Sequence, residues 1–243
     1  MAELDPDLLL RAYSVGVFPM ANSRETDDVF WVEPKKRGIL PLDRFHLSRS
    51  LAKTLRSGRF TTTADAAFGD VVAMCAEPTP TRPDTWINPQ IEIAYGELHQ
   101  RGYAHSIETW EDGRLVGGLY GVRLGAAFFG ESMFSRATDA SKVALAHLVA
   151  RLRVGGFRLL DCQFQTSHLA SLGAIEIGRA DYVVLLDEAL GLGSAVSAAG
   201  ALAAGSADFF ALDRAVPGEE PATTVAGPVS ACRIVQLLGQ TSQ

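Results

Sequence analysis

The sequence has few of the residues that build disulfide frameworks and structural metal sites. Its three cysteines, Cys75, Cys162 and Cys232, lie far apart, and no CxxC pair is present. We therefore expect neither a set of disulfides nor a structural zinc site. The chain also lacks an HExxH sequence, a Walker loop and any cluster of cysteine and histidine. We accordingly expect no metal and no other cofactor.

Long hydrophobic runs are missing as well. No stretch of about 20 apolar residues is present, which a membrane-spanning helix would need. The acidic start from Met1 to Asp5 lacks the apolar segment of a secretory signal. We therefore expect a cytoplasmic protein without a membrane partner, and we expect a monomer.

The chain does contain enough apolar sequence for a core, together with one strongly basic segment. Hydrophobic residues make up 47% of the 243 residues, which suits one large domain or two small ones. The net charge is −6, yet eight basic residues stand against one acid between Lys35 and Arg59. Local charge attracts a polyanion, so this segment predicts contact with a nucleic-acid backbone. A solvated, basic helix face is the alternative.

Residues 1–60 form a small predicted unit that is rich in aromatic and basic groups. A helix from Asp5 to Tyr13 has Asp5 as its N-cap and Pro6 in its first turn. A second helix spans Leu47 to Leu55, and short extended pieces are expected at Phe18-Pro19 and at Phe30 to Val32. A core of this size is marginal alone, so we expect the unit to pack against the rest of the chain.

Residues 61–190 predict an α/β sandwich with a mixed sheet. Two helical patterns precede three strands, a long helix and a further strand, helix and strand. In chain order these are Ala66–Ala76, Pro89–Arg101, Tyr103–Trp110, Leu115–Val122, Ala126–Glu131, Ala140–Arg153, Phe157–Gln163, Ser167–Leu172 and Tyr182–Leu186. The order β-β-β-α-β-α-β is similar to that of the acetyltransferase-like (GNAT-like) fold.

Residues 191–243 are expected to be a linker followed by an acidic tail. Between 191 and 207, 14 of 17 residues are Gly, Ala or Ser, which is typical of a flexible linker. The mildly apolar stretch from Val229 to Leu238 could dock back onto the core. We expect turnover to survive deletion of the whole tail.

Two short segments carry the strongest sign of a functional site. Gly130 to Ser135 ends an apolar run with a carboxylate, a hydroxyl and an aromatic ring, and Asp161-Cys162-Gln163 comes later in a second strand. Alternation places Asp161 and Gln163 on one face and Cys162 on the other. A buried acid beside a buried amide requires partners, so a structural hydrogen-bonded pair is the competing interpretation.

Many blocks of the chain, in the right order, resemble the bacterial leucyl/phenylalanyl-tRNA–protein transferases over about residues 5 to 187. They include Phe18-Pro19-Met20, His46-Leu47-Ser48-Arg49-Ser50, Thr85-Trp86-Ile87, Gly117-Gly118-Leu119-Tyr120-Gly121, Gly130–Ser135, Asp161-Cys162-Gln163 and Ala170-Ser171-Leu172-Gly173-Ala174. The resemblance implies a small N-terminal domain and an acetyltransferase-like C-terminal domain. It also implies transfer of leucine or phenylalanine from aminoacyl-tRNA to proteins with an N-terminal arginine or lysine, which marks them for N-end-rule degradation.

The resemblance also implies roles for individual residues. The catalytic pair falls on Asp161 and Gln163, and the rings around the 3′-terminal adenosine fall on Trp31 and Trp86. The acyl pocket falls on Leu119, Phe128, Leu145, Leu152 and Leu160, all of which could equally be core. Glu131 matches the acid of the Gly-Glu-Ser block. Independently of the resemblance, a preference for N-terminal Arg or Lys calls for an acidic pocket, and Glu131 and Glu108 are the candidates for binding the acceptor or positioning its amine. If Phe128 and Glu131 line one site, a β-bulge at Gly130 is expected, since alternation separates them.

The implied reaction is the attack of an α-amine on an ester, which needs no strong base because a substantial minority of such amines is neutral near pH 7. We expect Asp161 to orient Gln163 and to balance ammonium charge, while the Gln163 carbonyl accepts from the amine. We expect tRNA backbone contacts from Lys35, Lys36, Arg37, Arg49, Lys53 and Arg56.

Two alternative functions remain open. An acetyl-CoA-dependent N-acyltransferase would share the fold, although the junction from Ser135 to Ala140 has no phosphate-binding glycine. A non-catalytic tRNA-binding module would use the basic segment alone. Thiol catalysis by Cys162 beside His168 is disfavoured, because Cys162 points away from Asp161. His46 and His105 are expected to be structural.

Overall fold

A seven-stranded mixed sheet forms the centre of the protein. The computed structural model describes residues 4–79, 83–192, 207–214 and 229–239. Its strands are β1 (Phe18–Met20), β2 (Phe30–Val32), β3 (Lys36–Ile39), β4 (Thr61–Ala64), β5 (Ala104–Glu111), β6 (Arg114–Leu124), β7 (Ala127–Ser135), β8 (Leu159–Gln163) and β9 (Ile175–Gly178). The large sheet has the order β4-β5-β6-β7-β8-β3-β9, and β1 pairs with β2 separately.

Several helices begin where the sequence supplies a capping side chain. Asp5, Asn88 and Thr166 each accept a backbone N–H in the first turn of the adjoining helix, which satisfies an otherwise free donor. The helices are α1 (Pro6–Ser14), α2 (Arg49–Arg56), α3 (Phe68–Ala76), α4 (Pro89–Gln100), α5 (Ala140–Val154), α6 (Ser167–Ser171), α7 (Arg179–Leu190), α8 (Ala211–Arg214) and α9 (Ala231–Gly239), with a 3-10 turn at Leu42–Arg44. In the described ranges, no helix combines the length and apolarity that crossing a membrane requires.

The predicted mixed α/β architecture and the order β-β-β-α-β are confirmed. β5, β6 and β7 form an antiparallel meander whose first turn is Asp112-Gly113, with φ of 49° and 73°. Helix α5 then returns the chain so that β8 pairs parallel to β7. Neighbouring strands elsewhere in the sheet are antiparallel.

The stretch from Tyr182 to Leu186 was predicted to be a strand, and this prediction is wrong. The residues lie in α7, where Tyr182, Leu186 and Ala189 are buried. That spacing, i, i+4 and i+7, is typical of a helix. The β-branched residues Val183 and Val184 lie between the buried positions, and β-branched residues are enriched in strands. The last strand is instead β9, which pairs with β3.

The N-terminal segment contributes directly to the large sheet. β3 lies between β8 and β9 and pairs antiparallel with both, so a strand from residues 1–60 fills a position inside the main sheet. No periodic signal in the sequence marks β3, because its four residues are Lys, Arg, Gly and Ile. The division of the chain at residues 60 and 190 stays a prediction.

Two hydrophobic clusters cover the two faces of the sheet. One includes Leu119, Phe128 and Leu160 together with α5. The other includes Tyr120, Phe129 and Leu159 together with α1, α3, α4 and α7. Adjacent residues of one strand therefore enter opposite clusters, as alternation requires.

Parts of the C-terminal tail pack on the α5 side of the sheet. Phe209 is buried and stacks on His105, with ring centroids 4.0 Å apart. The buried Arg151 of α5 donates to Asp213 Oδ2 at 2.5 Å and to the Phe209 carbonyl at 2.7 Å. Helix α9 adds Ile234 and Leu238 to the same cluster.

These contacts give the tail a structural role, and the survival of turnover after its deletion stays a prediction. The predicted linker lies outside the described residues from 193 to 206. The segments on either side of residues 215–228 nevertheless bury apolar side chains and an ion pair, and removing them would expose part of the core. The suggestion that Val229 to Leu238 docks back onto the core is confirmed.

Replacing Phe209 by alanine should lower the free energy of unfolding by about 3–5 kcal/mol, because a fully buried ring is removed. Urea denaturation measures the change. Phe30→Ala is the matched control, since the Phe30 side chain is 41% exposed and its removal should cost much less. Equal, small effects of the two substitutions would show that the tail does not dock in solution.

Candidate active site

A cavity opens where two parallel strands separate. β7 and β8 pair only through Ala127–Phe129 and Leu159–Asp161. Beyond these residues β7 stays with β6, while Gln163 of β8 pairs with Gly38. The cavity has a volume of about 360 Å³, and its lining includes Gly130 to Met133 of β7 and Cys162 and Gln163 of β8.

A β-bulge brings Glu131 to this cavity. Gly130 pairs with Gly121 and Ser132 pairs with Tyr120, so Glu131 is an extra residue without a partner on β6. Bulges redirect side chains at the point where they occur. The expected bulge at Gly130 is therefore present, and it lets Glu131 line the cavity.

Glu131 is a buried carboxylate that is held by neutral donors. Its oxygens accept hydrogen bonds from Tyr13 Oη at 2.7 Å, Tyr95 Oη at 2.9 Å and Gln163 Nε2 at 2.9 Å. The two tyrosine hydroxyls also lie 2.5 Å apart. Burial raises the pKa of Glu131 to about 7, and the three hydrogen bonds oppose that rise. Glu131 therefore changes charge near neutral pH.

Gln163 has an unusual backbone and a defined side-chain orientation. Its φ is 61°, in the left-handed region, and its backbone N–H donates to Asp161 Oδ1 at 2.7 Å. Nε2 donates to Glu131, which leaves Oε1 as the amide's acceptor. Within the described residues, no hydrogen bond to Oε1 is formed, so this oxygen is available to a donor that enters the cavity.

Asp161 lies deeper and does not line the cavity. It is fully buried, and Arg37 Nε donates to its Oδ1 at 2.9 Å while Arg37 Nη2 donates to Oδ2 at 2.5 Å. Tyr182 Oη donates to Oδ2 at 2.8 Å. Burial and the nearby Asp161 raise the pKa of Tyr182, which keeps it a neutral donor. Arg37 therefore balances the charge of Asp161 within the fold, and the contact between Asp161 and Gln163 is made to the Gln163 backbone N–H and not to its side-chain amide.

Arg37 was expected to contact a tRNA backbone, and this prediction is wrong. Its side chain is 2% exposed. The guanidinium lies between the rings of Phe18 and Tyr182, 4.7 and 4.5 Å from their centroids, and also donates to the Gly16 carbonyl at 2.8 Å. The other five predicted backbone contacts are exposed, namely Lys35, Lys36, Arg49, Lys53 and Arg56, and Lys36 forms an ion pair with Glu176.

Three of the five predicted acyl-pocket residues line the cavity, which are Leu119, Leu145 and Leu160. Phe128 and Leu152 are not among the lining residues. Both are fully buried, and the Phe128 ring stacks on Phe209. Their assignment to the pocket surface is therefore corrected. Sequence analysis missed several wall residues: Met20, Met133, Leu148, Phe164 and Leu169. Met20 and Met133 stand in segments that resemble the transferase family, but apolar residues there look like ordinary core.

The two predicted adenosine-stacking tryptophans differ in position. Trp86 lines the cavity. Trp31 is 39% exposed on β2 and is not among the lining residues, although its strand pairs with the strand of Met20, which does line it. Both side chains are thus partly accessible, as stacking on a base requires.

Glu108 does not belong to this site. It is fully buried and accepts from Thr63 Oγ1 at 2.6 Å and Ser106 Oγ at 2.5 Å. These partners lie on β4 and β5, and Glu108 does not line the cavity. The proposal that Glu108 positions the acceptor amine is therefore wrong, because its carboxylate is committed to structural hydrogen bonds.

Cys162 and His168 both line the cavity, but their environment disfavours thiol catalysis. Burial raises the pKa of the Cys162 thiol, so the reactive thiolate is suppressed. Burial also lowers the pKa of His168, with a contribution from Lys142. Cys162 packs against the hydrophobic cluster that contains Leu160. Asp161 instead contacts Tyr182, which belongs to the cluster on the opposite face of the sheet, as alternation predicts.

Substitution of Glu131 by glutamine should change how stability depends on pH. Because the folded pKa is about 7 against an ordinary 4.5, the folded state holds a proton that the unfolded state loses. This contribution is complete below about pH 4.5 and disappears as the pH rises through about 7, for a total on the order of 3 kcal/mol. Urea unfolding across this range should show a flatter profile for Glu131→Gln.

The exposed Glu97 provides the control, since Glu97→Gln should keep the wild-type slope. An identical slope in the Glu131→Gln protein would mean that Glu131 titrates normally.

Comparison with known proteins gives a consistent result. The family model described as leucyl/phenylalanyl-tRNA protein transferase matches residues 39–187, and the model of that family's N-terminal domain matches residues 2–35. A leucyl/phenylalanyl-tRNA–protein transferase of Rhizorhabdus wittichii is 71% identical over 250 residues, which cover 100% of both chains. One of Zymomonas mobilis is 70% identical over 187 residues, covering 77% of this chain and 70% of the other.

Among solved structures, the crystal structure of FemX is similar with a TM-score of 0.47 and 11% identity, covering 71% of this chain and 66% of that one. The sequence matches are far stronger, and they extend over both the N-terminal segment and the residues that form the cavity. The chain belongs to the leucyl/phenylalanyl-tRNA–protein transferase family.

Proposed function

We propose that this protein transfers leucine or phenylalanine from aminoacyl-tRNA to the N-terminal arginine or lysine of acceptor proteins, which marks them for N-end-rule degradation. The observation that carries the proposal is the amide of Gln163. It is fixed by Glu131 and by the backbone bond to Asp161, and its free Oε1 lies at an apolar cavity. A cytoplasmic location and a monomeric state accompany the proposal as predictions.

In the proposed reaction the acceptor α-amine attacks the ester carbon of the aminoacyl-tRNA. A C–N bond forms, the C–O bond to the terminal ribose breaks, and the proton that the amine loses passes to the ribose oxygen or to water. Gln163 Oε1 accepts an N–H of the attacking amine and so fixes its approach. Holding the amine and the ester together supplies much of the rate, and no activated cofactor is required because the ester is itself the activated form.

The walls of the cavity suit the proposed donor. Leu119, Leu145 and Leu160 line it beside Met133 and Leu148, and these side chains offer no hydrogen-bonding group to a substrate. We propose that they hold the leucine or phenylalanine side chain. Of the two acids considered, only Glu131 lines the cavity, so we propose that it positions the acceptor amine through Gln163.

For the tRNA we propose two contact regions. Trp86 at the cavity and Trp31 on β2 would hold the 3′-terminal adenosine by stacking, which contributes about 1–3 kcal/mol per base. Lys35, Lys36, Arg49, Lys53 and Arg56 would contact the phosphate backbone.

The alternatives are less well supported. An acetyl-CoA-dependent enzyme would bind pyrophosphate at the start of α5, but Asp139 stands at the N-cap there, and its carboxylate repels phosphate. A binding module without catalysis would not need the fixed amide of Gln163 beside the cavity.

The decisive test is transfer of labelled leucine from charged tRNA to a peptide that begins with arginine. Product should form with intact tRNA and not after nuclease treatment. Gln163→Ala should lower kcat by about 100-fold because the amine is no longer positioned, with Gln100→Ala on the exposed end of α4 as the matched control. A protein that binds charged tRNA but forms no product would refute the proposal.

Neutralising Lys35, Arg49, Lys53 and Arg56 together by glutamine should weaken tRNA binding and reduce its dependence on salt. Removal of each phosphate contact should reduce the slope of log K against log salt by about 0.7–0.9. Fluorescence titration at several salt concentrations measures the slope. Arg114, an exposed cation at the start of β6, is the control, and an unchanged slope in the fourfold variant would remove this surface from the tRNA contact.

A further inference from the structure

Strand β3 places two consecutive residues against the two proposed functional residues of β8. The Arg37 guanidinium binds Asp161, and Gly38 pairs directly with Gln163 across the strands. The register between β3 and β8 shifts between Gly38 and Ile39. The pairing of β8 with β3 is thus irregular at the point where Gly38 faces Gln163.

Gly38 is required at this position by space. A Cβ atom at Gly38 would lie 2.6 Å from the backbone nitrogen of Gln165 and 2.7 Å from the carbonyl carbon of Phe164. Both neighbours are main-chain atoms, which cannot rotate away as a flexible side chain could. The backbone of Gly38 itself is not left-handed, so its conformational freedom plays no part.

The segment that approaches Gly38 is the turn that holds Gln163 in its left-handed conformation. A φ of 61° is unfavourable for a residue with a Cβ atom and persists only where the surroundings impose it. Three contacts impose it here: the Gln163 N–H on Asp161 Oδ1, the Phe164 N–H on the Cys162 carbonyl at 2.6 Å, and the close approach of the next two residues to Gly38.

We propose that Arg37-Gly38 is a positioning element for catalysis: Gly38 admits the turn, and Arg37 fixes the carboxylate that anchors it, so that the Gln163 amide points to Glu131 and the cavity. The expected effect on kcat rests on the proposed function, whereas the expected effect on the conformation of Gln163 does not. Arg37 and Gly38 do not touch the substrate. They connect the N-terminal segment to the reacting groups through Gln163.

The kinetic test compares Gly38→Ala with Gly69→Ala. Gly69 lies exposed on α3 with open space around its Cβ position, so its replacement should leave activity unchanged. Gly38→Ala should lower kcat at least about tenfold, because the amide is displaced, while KM for aminoacyl-tRNA changes little. Wild-type kcat in folded Gly38→Ala protein would overturn the proposal.

A pH profile separates positioning from a general loss of structure. The hydrogen bond from Gln163 lowers the pKa of Glu131, so its removal should move the Glu131 titration upward in Gly38→Ala. Nuclear magnetic resonance of labelled glutamate follows that titration in the absence of substrate. An unmoved titration would contradict the proposal.

A second pair of variants tests whether the fold imposes the left-handed conformation of Gln163. It requires no activity measurement and does not depend on whether Gly38→Ala folds. Gln163→Gly and Gln163→Ala both remove the side chain, but only glycine adopts a φ of 61° freely. The glycine variant should therefore unfold at a higher urea concentration. An alanine variant of equal or greater stability would show that the turn is not imposed. Failure of leucine transfer by the wild-type protein, in contrast, would refute the proposed function and leave this result standing.

Discussion

The buried ion pair between Arg37 and Asp161 is the interaction on which the site depends. Both side chains are almost completely removed from water, and breaking such a pair leaves an uncompensated charge that costs about 3–5 kcal/mol. The pair is completed by the Gly16 carbonyl, Tyr182 and the Gln163 backbone. It therefore ties the N-terminal segment, β8 and α7 into one unit, and the position of Gln163 depends on that unit.

Two carboxylates lie close to Gln163, and their different partners give them different properties. Asp161 is matched by a permanent cation, so its role is to hold a fixed structure. Glu131 receives hydrogen bonds only from neutral groups, and burial brings its pKa to about 7. Glu131 accepts the Gln163 Nε2 hydrogen bond, and in the proposed reaction this leaves Oε1 to receive the incoming amine. The proposed chemistry thus couples the orientation of one amide to the charge of one acid.

The sheet itself provides the space for this chemistry. Separation of β7 from β8 opens the cavity, and the bulge at Glu131 directs an acid into it. Helix α5 closes one wall with Leu145 and Leu148, while its buried Arg151 binds the tail segment around Phe209 and Asp213. The docked tail therefore supports the same helix that lines the proposed acyl site.

Local patterns in the sequence were sufficient for the elements that obey one period, such as the hairpin at Asp112-Gly113 and helix α5. They were also sufficient for the family, because its blocks combine residues that ordinary core does not. Tertiary structure alone decided which charged residues are buried: Arg37 looked like the basic residues around it, and Glu108 looked like Glu131. Charge and hydropathy are properties of a residue, whereas burial and pairing depend on residues distant in the chain, such as Asp161 for Arg37. Only the folded chain could therefore separate a structural ion pair from a surface for tRNA.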